Sequence, residues 1–451
     1  MAASATYPPT LEAELEPEDP SVERRDEHGR RGPVAATPRP LELPTIAVVA
    51  EGAALATIVG WDGSASWRLI RVAVVLAVAA AAARAIRRTG RVGRGTTSLL
   101  AGIAGVVAGL GIGGVYLAKV GVSAMTAAGI VASIAGIALL VLGATTLIRV
   151  IRGGWRLLAV PAGLLLLVFV LYPLTVAVNV TNRPATPHGA TTPADRGLEY
   201  QDVEFTTGDA VSISGWYIPS RNRAAVLLLH GSGSGRSAVL DHAVLLARHG
   251  YGALLIDTRG HGSSGGDAMD FGWYGDLDIA AAVSFLERQT DVDSAKIAVL
   301  GLSMGGEQAI AAVGVDERIR AVVAEGVTGM QAADHGWAER YGARGWVQLV
   351  IDQVMYGAAG MLSGADRPMS LRDAIHQAAP RPVLMIAGGD TISEEVAGRW
   401  LEQASPGSAE LWVIPGAGHT GGLGTQPEGW EARVVGFLDA ALAPSPMNEA
   451  T

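Results

Sequence analysis

The stretch Lys296-Ile297-Ala298-Val299-Leu300-Gly301-Leu302-Ser303-Met304-Gly305-Gly306-Glu307 decides the fold of this chain. Lys296 to Leu302 is an apolar run that reads as a strand, and Glu307 to Val313 reads as a helix. A serine between two glycines at such a corner is a nucleophile elbow, a turn that lifts a reactive hydroxyl clear of the sheet. The glycines are needed because the turn is strained and the two backbones approach closely. The following helix would aim its unpaired N–H groups and positive dipole end at charge developing beside Ser303. In a chain with 59 glycines the spacing alone is weak, and its place between strand and helix gives it weight.

Working outward, residues after about 199 alternate short apolar strands with helical segments. Strands are predicted at 202–207, 211–218, 224–230, 252–257, 296–302, 319–324, 382–387 and 409–414, and helices near 236–249, 273–289, 304–314, 393–404 and 428–442. Such alternation predicts an α/β fold, a mostly parallel sheet with helices on both faces. The first two strands lack a helix between them and are expected to pair as an antiparallel hairpin at the sheet edge. More than fifty residues separate Glu325 from Pro382, far more than one strand–helix unit needs, so an inserted segment is expected near 326–380. Trp346 to Tyr356 within it has helical spacing of apolar residues.

An activated serine needs a base to take its proton and an acid to orient that base. Asp390 sits just past the strand Val383 to Ala387, and His419 lies in the loop Pro415-Gly416-Ala417-Gly418-His419-Thr420 after the strand Leu411 to Ile414. Both are placed where loops leave the carboxyl ends of strands, the edge at which a parallel sheet gathers its active site. The order Ser303, Asp390, His419 is the one an elbow of this kind uses. The acid loop Gly388 to Glu395 also carries Glu394, the second choice for the acid. A glycine-rich loop, His230-Gly231-Ser232-Gly233-Ser234-Gly235, leaves another apolar strand. Backbone N–H groups of Met304 and Ser232, with Gly233 as the alternative to Ser232, could stabilise an oxyanion. His230, at a strand end and upstream of the elbow, is read as shaping that loop.

These residues resemble the α/β-hydrolase superfamily. Asp257-Thr258-Arg259-Gly260-His261-Gly262-Ser263-Ser264-Gly265 is similar to the loop after the fourth strand in many members, where it is structural, so His261 is not expected to be the base. Tyr274-Gly275-Asp276, Gly301 to Gly306 and Pro415 to His419 fit the same pattern, which covers about residues 199–442. The resemblance is nearest to membrane-tethered serine hydrolases and to the serine-aminopeptidase-like and dienelactone-hydrolase-like groups. It implies a hydrolase of esters or amides, and it implies that the inserted segment near 326–380 is a cap over the site.

Before residue 181 the chain changes character. Its mean hydropathy of +0.31 and 49% hydrophobic residues are too high for an ordinary soluble enzyme, and the excess is concentrated here. Five apolar stretches near 44–60, 67–86, 96–118, 124–148 and 157–180 approach the ~20 residues that a bilayer crossing needs. The first contains Glu51, read as facing other helices or snorkelling in an imperfect span, with a buried functional carboxylate as the alternative. Gly105, Gly109 and Gly113 repeat on one helix face, as do Gly129 and Ser133 on the next, a spacing that lets membrane helices pack closely. Arg87, Arg88, Arg91 and Arg94 fill the second connection, and Arg149 and Arg152 mark the fourth. By the positive-inside rule that side is cytoplasmic, which leaves everything after residue 181 extracytoplasmic. Residues 1–43, rich in proline and charge, are expected to be a disordered tail, 181–198 a linker, and 443–451 a C-terminal tail. The linker predicts that a piece starting near residue 195 folds in solution.

The formal net charge of −9 argues against a nucleic-acid partner, and the absence of cysteine excludes disulfides and thiolate chemistry. No metal or organic cofactor is implied. The expected partners are the lipid bilayer and a small-molecule or lipid-like acyl substrate. Two alternatives share the same residues: an acyltransferase, and a membrane sensor in which the C-terminal part only binds.

Overall fold

The computed structural model describes residues 42–61, 64–186 and 189–443. The tails expected over 1–43 and 443–451 fall almost wholly outside that range. The chain begins with four long apolar helices and one shorter one. They are α1 (Leu43–Val59), α2 (Ala65–Arg88), α3 (Arg91–Lys119), α4 (Ala124–Val150) and a composite rod, Gly153–Thr181. The rod contains α5 (Ala159–Leu166), a wider π-helical turn over Leu167–Leu171, and α6 (Tyr172–Thr181). Among the described residues, four helices are long and apolar enough to cross a membrane. With 17 residues α1 is the short one, about 25 Å at 1.5 Å per residue against a hydrocarbon core of ~30 Å.

Close approach of α3 and α4 organises the bundle. A Cβ on Gly109 would lie 2.5 Å from Ser133 N, and one on Gly113 would lie 2.9 Å from Gly129 Cα. The small-residue stripes are therefore packed against each other within the chain. Glu51 is buried in this bundle, its carboxyl carbon 2.7 Å from where a Cβ on Gly105 would sit.

The second half is an eight-stranded sheet in the order β1-β2-β4-β3-β5-β6-β7-β8. The strands are β1 (Gln201–Thr206), β2 (Ser212–Ile218), β3 (Ala225–Leu229), β4 (Gly252–Ile256), β5 (Ile297–Leu302), β6 (Ala321–Glu325), β7 (Val383–Gly388) and β8 (Ala409–Ile414). The β1–β2 hairpin is antiparallel at the edge, β2 runs antiparallel to β4, and all later pairings are parallel. Every side chain of β3 to β7 is buried, because helices cover both faces. These helices are α7 (Leu240–Arg248), α8 (Gly275–Glu287), α9 (Met304–Val315), α12 (Ile392–Glu402) and α14 (Pro427–Ala441), with the single turn α13 (Gly422–Thr425) before the last. Between β6 and β7 the expected insertion appears as α10 (Ala343–Ser363) and α11 (Leu371–Ala378).

The two halves share a core, although 181–198 reads as a linker. Ala177 and Val180 of α6 belong to the same buried cluster as strands β3, β5 and β6, and α10 packs against α6. The connecting segment is docked as well. Arg183 bridges to Ala268, Gly262 N–H donates to Thr186 O at 2.8 Å, and Gly189 N–H donates to Ser237 Oγ at 2.7 Å.

Candidate active site

Ser303 stands between β5 and α9 with φ 54° and ψ −120°, a strained backbone for any residue with a side chain. A Cβ on Gly301 would meet Gly305 O at 2.1 Å, and one on Gly305 would meet Leu229 O at 2.6 Å. Both neighbours are backbone oxygens that cannot swing aside, so only glycine fits on either side of the serine. Ser303 N–H donates to Glu325 O at 2.7 Å and fixes the turn to β6.

His419 arrives on the loop after β8. Its Nε2 lies 2.9 Å from Ser303 Oγ, and its Nδ1 lies 2.6 Å from Glu394 Oε1. The other carboxylate oxygen of Glu394 accepts the Gly388 N–H at 2.8 Å. Ser303 and His419 thus meet as the sequence predicts, but Asp390 does not join them. Asp390 is exposed, and its N–H donates to Ala417 O at 3.0 Å while its side chain faces out. The physical reason is the tightness of the loop. Helix α12 begins at Ile392, so its first turn carries Glu394 back beneath the imidazole, while Asp390 is left on the outer corner. Glu394 is fully buried, whereas the His419 side chain is 52% exposed. The hydrogen bond that His419 donates to Glu394 raises the His419 pKa above the ordinary 6.5, outweighing partial burial.

The glycine-rich loop lies over the serine, since a Cβ on Gly231 would be 3.3 Å from Ser303 Cβ. Ser232 follows directly, and Met304 is the first residue of α9, whose leading N–H groups have no partner within the helix. Ser232 is thus next to the residue that meets Ser303, and Met304 follows Ser303 directly; these are the two residues whose amides the sequence offers for the oxyanion. His230 is buried beneath the loop, accepts Thr258 N–H on Nε2 at 3.1 Å, and meets Gly231 O through Nδ1 at 2.8 Å. Burial and the neighbouring His261 hold its pKa down at about 4, so it is a neutral brace for the loop. His261 Nε2 lies 3.4 Å from Asp270 Oδ1.

Two carboxylates near the site carry no motif in the sequence. Glu307, one turn into α9, is buried and accepts N–H groups from Thr328 and Gly329 at 3.0 and 2.8 Å. It pins the chain as it leaves β6 for the cap. Glu325, at the end of β6, accepts Gly422 N–H at 2.7 Å and Trp430 Nε1–H at 3.0 Å, which anchors the stretch after His419. Burial pushes both carboxyls up. A glutamate after an elbow or at a strand end looks like any solvated charge until the partners are known. Among the described residues no group of three His, Asp or Glu side chains has the spacing of a metal site.

Residues 226–433 match the model of the Alpha/beta hydrolase family. Over 244 residues the chain is 31% identical to the uncharacterized protein Rv2307c of Mycobacterium tuberculosis, covering 53% of this chain and 77% of that one. It is 33% identical over 136 residues to the polyketide transferase grgF of Penicillium, spanning 28% of this chain but only 45% of that relative. Among solved structures it is similar to the Pyrococcus furiosus esterase Pf2001, with 27% identity, 58% of this chain and 100% of that one covered, and a TM-score of 0.44.

Proposed function

Since the chain belongs to the alpha/beta hydrolase family, we propose that it is a membrane-anchored serine hydrolase that cleaves carboxylic esters through an acyl-enzyme on Ser303. The observation that carries this reading is the relay from Glu394 through His419 to Ser303, with hydrogen-bond distances of 2.6 and 2.9 Å. In it, His419 Nε2 takes the Ser303 proton as Oγ attacks the ester carbonyl, and Glu394 holds the imidazole tautomer and stabilises the cation that forms. The Met304 and Ser232 amides face the developing oxyanion. His419 then protonates the departing alkoxide, and water attacks the acyl-enzyme with His419 again as base. A fluorophosphonate probe on the detergent-solubilised protein should leave one adduct, located by mass spectrometry on Ser303. An adduct elsewhere, or none, overturns the reading.

A base must be neutral to act. Because its folded pKa lies above 6.5, the neutral imidazole is lost as pH falls through that raised value. The acid limb of kcat/KM should therefore have its midpoint above 6.5, and Glu394→Gln should move it down.

The substrate we favour is an acyl ester that partitions into lipid. Helix α10 lies along the membrane helix α6 and leaves Trp346, Met361 and Leu362 exposed beside it. Such a lip suits substrates drawn from the bilayer surface. Transfer of the acyl group to another acceptor is the second reading, which the likeness to a polyketide transferase favours; product analysis with an added alcohol or amine separates the two.

We also assign the catalytic half to the extracytoplasmic side. Arg91, Arg149, Arg152 and Arg156 line one hollow at the end where α3 begins, whereas Lys119, at its other end, touches the sheet domain. The arginine end is cytoplasmic by the positive-inside rule. Protease added to intact cells should degrade the C-terminal half; full protection there, with cleavage only after lysis, would reverse the assignment.

A further inference from the structure

A polar chain that the proposed mechanism does not use runs from the exit of the last membrane helix to the loop over Ser303. Arg183, just past α6, pairs through Nε with Oδ2 of Asp270 at 2.5 Å. The same oxygen accepts a hydrogen bond from Ser232 Oγ at 2.6 Å. Asp270 is buried, and burial alone would push its carboxyl up. The nearby His261, the hydrogen bond from Ser232 and the Arg183 charge outweigh that and hold it below the ordinary carboxylate range.

The backbone follows the same route. Asp270 N–H donates to Val180 O of α6 at 3.0 Å, and Arg183 bridges to Ala268. From the opposite side Lys119, the last residue of α3, donates from Nζ to Gly233 O at 2.9 Å. The N–H of the same peptide, on Ser234, donates to Gly231 O at 3.3 Å. The loop so held is rich in glycine, with Gly233 at φ +64°, and has little stiffness of its own.

We propose that Arg183 and Lys119 are positioning residues for the loop Gly231 to Ser234, so that the membrane bundle is a working part of the active site and not only its anchor. This rests on the serine-hydrolase reading above. Lys119 ends one bundle helix and Arg183 follows the last, so that the first holds Gly233 directly and the second holds Ser232 through Asp270. A displacement of about 1 Å in such a donor can cost ~100-fold in rate.

The test is steady-state hydrolysis of p-nitrophenyl butyrate by the full-length protein in detergent. Arg183→Gln should lower kcat about 10- to 100-fold with KM within about threefold, because the loss is confined to the transition state. Arg183→Lys should recover most of it. Ser232→Ala keeps the amide and removes only the hydroxyl, so misfolding is no explanation for its effect; it should lose kcat to a similar degree. The double variant should be no slower than the slower single, since both act through Asp270. Lys119→Gln should lower kcat about threefold to tenfold, with recovery by Lys119→Arg. Wild-type kcat in Arg183→Gln or Ser232→Ala, multiplying losses in the double variant, or a change confined to KM would each overturn the proposal. Absence of Ser303-dependent hydrolysis in the wild type would instead overturn the serine-hydrolase reading itself.

Discussion

Replacing Ser303 with alanine should lower kcat by about 10⁶-fold, and Glu394→Gln should lower it by about 10⁴-fold, while Asp390→Asn stays within about twofold of wild type. The first loss removes the nucleophile. The second keeps the shape of the Glu394 side chain but removes the charge that orients Nδ1 and stabilises the imidazolium. Glu394 is fully buried and bridges His419 Nδ1 and Gly388 N–H, so no water can replace it. Asp390 has no such contact and faces solvent. Turnover of a chromogenic ester by the three purified variants decides between the two carboxylates. A large loss in Asp390→Asn with a small one in Glu394→Gln would reverse the assignment of the acid.

A fragment starting near residue 195 should aggregate or lack hydrolysis, while the full-length protein in detergent is active. Cutting there removes α6, whose Ala177 and Val180 are buried in the sheet-domain core with Leu174 and Val176 packed beside them. At ~1.5–3 kcal/mol for a fully buried aliphatic side chain, the burial of these four is worth on the order of 5 kcal/mol. Whole domains are stable by only ~5–15 kcal/mol, so the fragment would forfeit a large share of its margin. The cut also removes Lys119 and Arg183 from the loop over the serine. Size-exclusion chromatography and ester turnover on the fragment check this. A monodisperse fragment with the kcat of the full chain would show that the bundle is dispensable.

The elbow, the eight strands and the edge hairpin are legible in the sequence because each rests on local chemistry: glycines flanking a serine, and apolar runs closed by turns. Ser303 and His419 are legible for the same reason, since each lies in a glycine-framed loop at a strand exit. Glu394 is obscured by an accident of loop length. Three residues separate β7 from α12, so the acid sits in the first turn of a helix, where glutamates are common for dipole reasons alone. Position just past a strand exit also led toward Asp390, the carboxylate nearest the strand end. Docking of the 181–198 segment is invisible for another reason. Its prolines and threonines look like any linker, and its partners, Ala268, Gly262 and Ser237, lie more than forty residues away. The small-residue stripes on α3 and α4 say that helices pack closely, but not that a lysine at the end of one would meet the loop over Ser303.

The π-helical turn at Leu167–Leu171 divides the final membrane rod into two rotational phases. Upstream, α5 has no buried residue; downstream, α6 buries Pro173, Ala177 and Val180. The wider turn holds one more residue than an α-helical turn would, and that extra residue sets the azimuth of everything after it. Removing one residue there would rotate α6 by about 100°. Val180 would then leave the sheet-domain core, and Arg183 would swing off Asp270. The turn thus acts as a keyway between two shafts: lipid solvates the upper one at any angle, while the lower one must be clocked to the enzyme.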